Sequence, residues 1–208
     1  MEAHVHSTRS SMDYSIVDPV VRRATASEAA QVSRLIGSTW AKFFAYSVSE
    51  SDLETYLSTL LSEASIRAEI EDPSKYFLVA ERRARLGPGW ISNSDSGATE
   101  GQEGPMIVGV AQINLTTKKQ GLITSNPVEL NRLYIDPKEQ GGGLAAILLD
   151  SAVHIAKEMR YDGLWLGVWE NNARAKRFYE KMRFEERGEH YFWVGESKRR
   201  DLVMEKRL

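Results

Sequence analysis

The stretch Asp136-Pro137-Lys138-Glu139-Gln140-Gly141-Gly142-Gly143-Leu144-Ala145 carries the decisive reading of this chain. Before it, Val128 to Ile135 reads as a strand that Asp136-Pro137 ends. After it, Leu144 to Arg160 places Leu144, Ile147, Leu148, Ala152, Ile155 and Met159 on one face of an amphipathic helix. Glycine accepts positive φ and lets backbone approach a ligand closely. A helix start presents unpaired N–H groups and the positive end of the helix dipole. A strand, a glycine turn and a helix in that order form a site for phosphate; a merely tight turn is the plainer alternative. The P-loop pattern would need Lys and then Ser or Thr after its last glycine, and Leu144-Ala145 is not that. Gly141 to Ala146 fits a dinucleotide fingerprint loosely, with Glu170 at the end of the next strand. Only about 60 residues follow it, too few for a doubly wound dinucleotide domain.

Outward from that turn the elements fall into a consistent order. Val20 to Ala24 is a short strand. Thr25 to Glu28 has capping-box spacing and opens a helix that buries Val32, Leu35, Ile36, Trp40 and Phe43. A second box, Ser51 to Glu54, opens a helix with Leu53, Tyr56, Leu57, Leu60 and Leu61. Ser65 to Glu71 is a short helix ended before Pro73. Tyr76 to Glu81 and Met106 to Leu115 read as strands. Residues 84–105 between them are rich in Gly, Ser and acids and read as a mobile loop insertion, a surface insertion rather than a lid. Gln120 to Pro127 is a second loop. Beyond the long helix come a strand (Leu164 to Trp169), a helix (Asn172 to Met182) and a closing hairpin of Phe184 to Val194 with Asp201 to Arg207. The expected class is α/β: a mixed sheet of about seven strands with helices on both faces. Residues 1–18 read as a disordered tail, leaving 19–208 as a single domain.

Composition narrows the function. The 208 residues carry a formal net charge of -2, so no global field favours nucleic acid or an anionic membrane. There is no cysteine, which excludes thiolate chemistry and cysteine-ligated metal. No metal site is expected. No apolar run approaches the roughly 18 residues of a membrane helix. The N-terminal residues lack a signal-peptide core, and a cytoplasmic location is expected.

At the glycine turn the chain resembles the GNAT (Gcn5-related N-acetyltransferase) superfamily. Gln140-Gly141-Gly142-Gly143-Leu144-Ala145 matches its Q/R-x-x-G-x-G/A coenzyme A loop. Leu133-Tyr134-Ile135-Asp136-Pro137 resembles the preceding strand, and Ile147-Leu148-Leu149 the following helix. Trp169 to Ala175 and Phe178-Tyr179-Glu180-Lys181 resemble the family's fifth strand and fourth helix. The likeness spans about Val20 to Leu208. A closer likeness, to the PaiA-type branch associated with polyamine acetylation, rests on Gly188 to Phe192, Asp201 to Leu208, and Ser51-Asp52-Leu53 with Tyr56-Leu57. The resemblance implies acetyl-CoA as cosubstrate, wedged between splayed strands containing Leu133 to Ile135 and Leu164 to Trp169. Leu133, Tyr134 and Ile135 would flank the pantetheine arm, and amides from Gln140, Gly141, Gly142, Gly143, Leu144 and Ala145 would hold the pyrophosphate. Asn172, Ala175, Phe178 and Lys181 would complete the coenzyme site. The amine would attack the thioester directly. Two departures stand out: Gly142 lies where the family often has Lys or Arg, and Arg183 precedes Phe184 where it usually has Gly, a position that favours left-handed backbone.

Tyr179 is the expected acid, since a phenol can protonate or stabilise a departing thiolate. A core tyrosine is the alternative. Asn172 is also a helix N-cap. Glu129 is the expected base, directly or through water, with a strand-end salt bridge as its plainer role and Glu81 and His190 as weaker alternatives. Lys198-Arg199-Arg200 reads as a solvated turn. The expected acceptor is a small primary amine. The PaiA likeness and the acids Glu50, Asp52, Glu54, Glu63, Glu69, Glu71 and Asp72 suggest a polyamine. A coenzyme A sensor without catalysis is the alternative, and a homodimer is left open.

Overall fold

The computed structural model describes residues 19–82 and 105–208. The tail, 1–18, and the body of the expected loop insertion, 83–104, lie outside the described residues. Seven strands and five α-helices follow one another as β1 (Val20–Arg23), α1 (Ala29–Phe44), α2 (Glu50–Ser58), α3 (Glu63–Glu71), β2 (Lys75–Arg82), β3 (Met106–Asn114), β4 (Pro127–Ile135), α4 (Leu144–Glu158), β5 (Gly163–Trp169), α5 (Ala173–Lys181), β6 (Glu185–Val194) and β7 (Ser197–Arg207). The strands form one sheet in the order β1-β2-β3-β4-β5-β7-β6. All pairs are antiparallel except β4–β5. That exception follows from chain order, because α4 carries the chain back to the same end of the sheet.

Each sheet face has its own core. On one, Leu148, Leu149, Ala152 and Ala156 of α4 pack with Tyr179 of α5 onto Ala111, Val128, Leu130, Leu164, Leu166 and Met204. On the other, Val32, Leu35, Ile36 and Trp40 of α1 pack with Tyr56, Ile66 and Ile70 onto Phe77, Val79, Val110 and Val194. Adjacent strand residues alternate between the two sets, as the pleat requires. The α4 contact is close: a methyl group added at Gly109 would lie 2.7 Å from Cδ1 of Leu148.

The local signals are met with two shifts of register. Glu28 accepts a hydrogen bond from the Thr25 amide at 2.7 Å, and a short 3-10 turn leads into α1. The cap of α2 is Ser49, not Ser51; its hydroxyl accepts from the Asp52 amide at 3.1 Å. Ser51 is instead exposed inside the first turn. Likewise α3 starts at Glu63, capped by Ser62, rather than at Ser65. A Ser-Glu-Ser or Ser-Glu-Ala-Ser run offers two serines of equal capping chemistry, and the packing of Leu53, Tyr56 and Ile66 selects between them. Arg183 does take left-handed backbone, with φ 69.

The larger correction concerns Lys198-Arg199-Arg200. The turn is Gly195-Glu196, and all three cations lie on β7. Phe192, Tyr191 and Trp193 stand opposite Arg199, Arg200 and Lys198 respectively. Strand alternation therefore sends Lys198 and Arg200 to one face and Arg199 to the other, where it is buried.

Candidate functional site

The parallel pair β4–β5 holds register at Pro127–Gly163, Val128–Leu164 and Glu129–Trp165, and no further. From Leu130 to Ile135, β4 pairs with β3 alone. The pairing of β3 with β4 passes from Gln112–Arg132 to Ile113–Leu130, so Asn131 has no opposite number. Such a bulge increases twist and bends the strand. The outer half of β4 thus presents an unpaired edge towards β5, where an extended ligand can pair as a strand would.

At the end of that edge lies the glycine turn. Gly141 and Gly143 have φ of 95 and 85, values that favour glycine; Gly142 does not share them. Carbon added at Gly141 or Gly143 would meet nothing within 4 Å, so backbone conformation rather than crowding calls for glycine there. The Gly143 carbonyl accepts from the amides of Ala146 and Ile147 at 2.9 and 3.2 Å. Leu144 and Ala145 sit before any carbonyl that could take their amides, as the first residues of a helix must. The turn is braced from outside. Arg82 pairs with Glu139 at 2.6 Å, and Gln140 donates to the Ile135 carbonyl at 3.3 Å. Arg174, in the first turn of α5, donates to the Gln140 side chain. Arg174 is exposed, and sequence reasoning passed it over; it brings a cation to the loop that lacks one at Gly142.

Tyr179 lies in the core on the α4–α5 face. Its ring packs on Phe178 and Phe184, with centroids 5.2 and 5.5 Å away, and Ala175, Phe178 and Met182 border the same core. Asn172 caps α5, accepting from the Ala175 amide at 3.1 Å. Lys181 is exposed at the far end of that helix, remote from its first turn. Burial pushes the Tyr179 phenol above its ordinary pKa. Tyr134, which belongs to the opposite core, is shifted the same way, first by burial and then by the nearby phenols of Tyr56 and Tyr179.

The opposite face carries the polar groups. Glu129 lies on β4 across from Trp165, half-buried. Burial raises its pKa, against a hydrogen bond from Thr117 and the charge of Lys119. His190 stands edge-on to Trp165 at 6.4 Å and faces Asp201 at 3.9 Å. A methyl group at Gly167 would come within 2.9 Å of the His190 ring, which therefore lies directly on the β5 backbone. Burial, then the charge of Lys119, lowers the His190 pKa. Burial pushes Asp201 up to about 6, opposed by Arg199 and reinforced by Glu170. His190 is thus more than a hairpin residue: its ring reaches the same face as Glu129. Glu81 is engaged elsewhere, accepting from Nε of Arg22 at 2.8 Å.

The acid-rich helices do not form an open acidic wall. Asp52 accepts from the Glu196 amide and the Ser197 hydroxyl, tying α2 to the β6–β7 turn. Glu69 is held by Lys75 and Arg132, Glu63 by Arg67, and Asp72 by Ser74. Glu50, Glu54 and Glu71 are exposed.

A strand edge beside a bulge thus runs into a glycine turn at a helix start. A profile of the acetyltransferase (GNAT) family matches residues 46–184. The chain belongs to that family. Its activity is accordingly that of an acetyl-CoA-dependent N-acetyltransferase. An uncharacterized N-acetyltransferase of Lactobacillus delbrueckii subsp. lactis is 25% identical over 170 residues, 82% of this chain and 86% of its own. The spermine/spermidine N(1)-acetyltransferase of Bacillus subtilis is 31% identical over 84 residues, 40% of this chain and 55% of its own, so the match spans about half of that relative. Among solved structures, the PaiA N-acetyltransferase of Thermoplasma acidophilum in complex with coenzyme A superposes with a TM-score of 0.63 at 20% identity, covering 92% of this chain and all of its own. That last likeness is one of fold. Among the described residues there is no metal-ligand cluster and no helix long and apolar enough to cross a membrane.

Proposed function

We propose that this GNAT enzyme acetylates a small primary amine by direct transfer, with Tyr179 as acid and Glu129 as base. One observation supports the reading: β4 and β5 stop pairing just beyond Glu129, on the sheet face opposite the core that holds Tyr179. Acetyl-CoA supplies an activated acetyl thioester. The unpaired β4 edge at Leu133 and Ile135 suits its extended arm, though the Ile135 carbonyl already takes the Gln140 side chain. The amides of Leu144 and Ala145 suit its pyrophosphate, with Arg174 at hand. Tyr134, Asn172, Ala175 and Phe178 would line the remainder. Exposed at the distal end of α5, Lys181 would reach only the outer coenzyme.

Two proton movements complete the chemistry. The acceptor amine must lose a proton before or as its nitrogen forms the new bond to the acetyl carbon. Glu129, its pKa raised by burial, takes that proton directly or through water. Cleavage of the carbon–sulfur bond leaves a thiolate. Tyr179 is fully protonated at neutral pH and donates to it.

Polyamine acceptors draw support from the Bacillus subtilis relative. The acid-rich helices add little, because Asp52, Glu63 and Glu69 already hold partners. The test is a thiol-release assay with acetyl-CoA over spermidine, spermine, arylamines, aminoglycosides, amino acids and lysine peptides. Turnover of at least one small amine is expected, and acetyl-CoA binding without turnover of any amine would return the protein to the class of coenzyme sensors.

A further inference from the structure

Arg199 is a buried cation with no ion-pair partner within contact distance among the described residues. It is 6% exposed, and its Nε is enclosed with no hydrogen-bond partner. Among the described residues no carboxylate pairs with it, whereas its neighbour Arg200 pairs with both Glu170 and Glu189. Aromatic rings surround it instead: its guanidinium carbon lies 4.1 Å from the Trp169 ring centre, 5.2 Å from Phe44 and 5.4 Å from Trp40. Asp201, on the same strand face, acts on Arg199 through charge alone, and its carboxylate stands 3.9 Å from His190. Cation–π contacts offset part of the cost of burying a guanidinium but leave its donors unused.

Its position is specific. Trp169 ends β5, beyond the point where β4 and β5 have separated. Tyr46 packs on Trp169 at 5.7 Å and is itself 78% exposed, so the aromatic cup opens to solvent on the α1–α2 side. This is the face of Glu129 and His190, opposite Tyr179. We propose that the acceptor amine carries a carboxylate, and that Arg199 binds it in the cup formed by Phe44, Tyr46 and Trp169. The substrate class is then an amino acid or a related aminocarboxylate. This rests on the acetyl-transfer reading of the same cleft. The planar fork of a guanidinium matches a carboxylate with two parallel hydrogen bonds. A single negative charge is the smallest addition the cup would have to accept beside Asp201. A phosphate dianion would leave a surplus beside Asp201 and Glu170, and a polyamine would bring further positive charge to an unpaired guanidinium.

The experiment compares acceptors matched except for the anion: amino acids against their carboxamides, aminoalkanoates against alkylamines, with phosphoethanolamine and spermidine alongside. The carboxylated member of each pair should show kcat/KM at least about tenfold higher, the range of a charge-assisted hydrogen bond. Arg199→Gln should abolish that preference by lowering the carboxylated member alone, and Arg199→Lys should keep part of it. Equal or better turnover of the carboxamide, phosphoethanolamine or spermidine overturns the proposal. So does an equal fall for both members in Arg199→Gln, the mark of a packing role. The wild-type comparison stands even where a variant fails to fold. Should no amine turn over, calorimetry of the coenzyme A complex with N-acetyl amino acids and their carboxamides separates the two claims. Carboxylate-selective binding then keeps the assignment of Arg199 while transfer falls, and its absence ends both.

Discussion

The two sides of the splayed strand pair are built by different means. On the α4–α5 side, backbone does the work: two glycines of positive φ, a helix start and an unpaired strand edge. On the α1–α2 side, side chains do it: Glu129, His190, Asp201 and Arg199 gathered among Trp40, Phe44, Trp165 and Trp169. A backbone site recognises what every member of a family shares, here a coenzyme. A side-chain site is free to differ from one acceptor to another. Substitutions on the first side should therefore act alike on every amine, and those on the second should separate one amine from another.

The largest expected effect lies on the coenzyme side. Tyr179→Phe keeps the packing against Phe178 and Phe184 and removes the hydroxyl. Loss of an acid of this kind typically costs about 10²- to 10⁴-fold; because the thiolate is itself a tolerable leaving group, kcat should fall about 10-fold to 1000-fold, from the lower part of that span to somewhat below it. The fall should be the same for every acceptor, with acetyl-CoA affinity unchanged. Steady-state kinetics with two unrelated amines checks both. A loss seen with one amine only would move Tyr179 to the acceptor side, and unaltered kcat would assign it to the core.

The second effect is one of pH and belongs to the acceptor side. Asp201 has its folded pKa raised by burial from an ordinary 3.8 to about 6. A group raised in this way favours the folded state fully below the unfolded value and loses that advantage as pH rises through about 6. At pH 7 the ionised, desolvated carboxylate is therefore a stability penalty of up to about 3 kcal/mol, two pKa units at 1.36 kcal/mol each. Asp201→Asn should be more stable than the wild type at pH 7, by about 1–3 kcal/mol, and no more stable at pH 3.5. Denaturant melts at the two pH values decide it. Glu205 makes the opposite case. Burial alone would raise its pKa, but hydrogen bonds from the Ile123 and Thr124 amides and the Thr124 hydroxyl bring it below the ordinary value. Its contribution is present above the unfolded pKa and lost as pH falls, so Asp201→Asn should leave the acid limb of the stability curve in place.

The same division explains what could be read in the residues. Gly141 and Gly143 stand out because left-handed backbone demands a residue type, and α4 because a buried helix face demands a period, met at Leu144, Leu148 and Ala152 while Ile147 and Met159 of the expected face are exposed. Arg199 carries no such mark. Ser197, Arg199, Asp201, Val203 and Glu205 share one face of β7, and four of the five are polar. The other face carries Lys198 and Arg200 but also the buried Leu202 and Met204, so alternation of hydrophobicity cannot tell which cation turns inward. The face with Arg199 becomes inward-facing only through its register with β5 and β6, where Trp169 and Phe192 stand opposite. Asp52 was similarly opaque: its contact with Ser197 joins residues 145 apart. In the sequence it is one acid among the seven that suggest a polyamine, whereas in the fold it holds a turn. The long-range pairings that build the acceptor side leave no local signature.

A smaller effect returns to the coenzyme loop. Gly143→Ala forces a β-carbon into left-handed backbone at a cost of roughly 1–2 kcal/mol, with no clash to add, since nothing lies within 4 Å. If the loop keeps its form the cost falls on stability. If it relaxes, the amides of Leu144 and Ala145 turn away and the apparent acetyl-CoA affinity drops about five- to thirtyfold, the same free energy expressed in binding. Either way the ratio of kcat/KM between two amines should stay constant. A change in that ratio would show that the two sides are coupled through the strand gap.

The smallest effect tests the acceptor wall through a single hydroxyl. Ser49→Ala removes the acceptor of the Asp52 amide and should cost about 0.5–2 kcal/mol, whereas Ser51→Ala should be near neutral because Ser51 caps nothing beyond a side-chain contact with Ser49 at 3.1 Å. The cost should not stop at stability. The amide of Ser49 also approaches the Ser197 hydroxyl, and Asp52 grips the same turn, so the first turn of α2 holds the hairpin on which Arg199 is mounted. Fraying there should loosen the cup and raise KM for the acceptor while leaving KM for acetyl-CoA where it was. Thermal melts of the two alanine variants, paired with both KM values, give the outcome. Equal destabilisation by Ser49→Ala and Ser51→Ala would place the cap back at Ser51, and a rise in the acetyl-CoA KM would mean that α2 supports the whole gap and not the acceptor side alone.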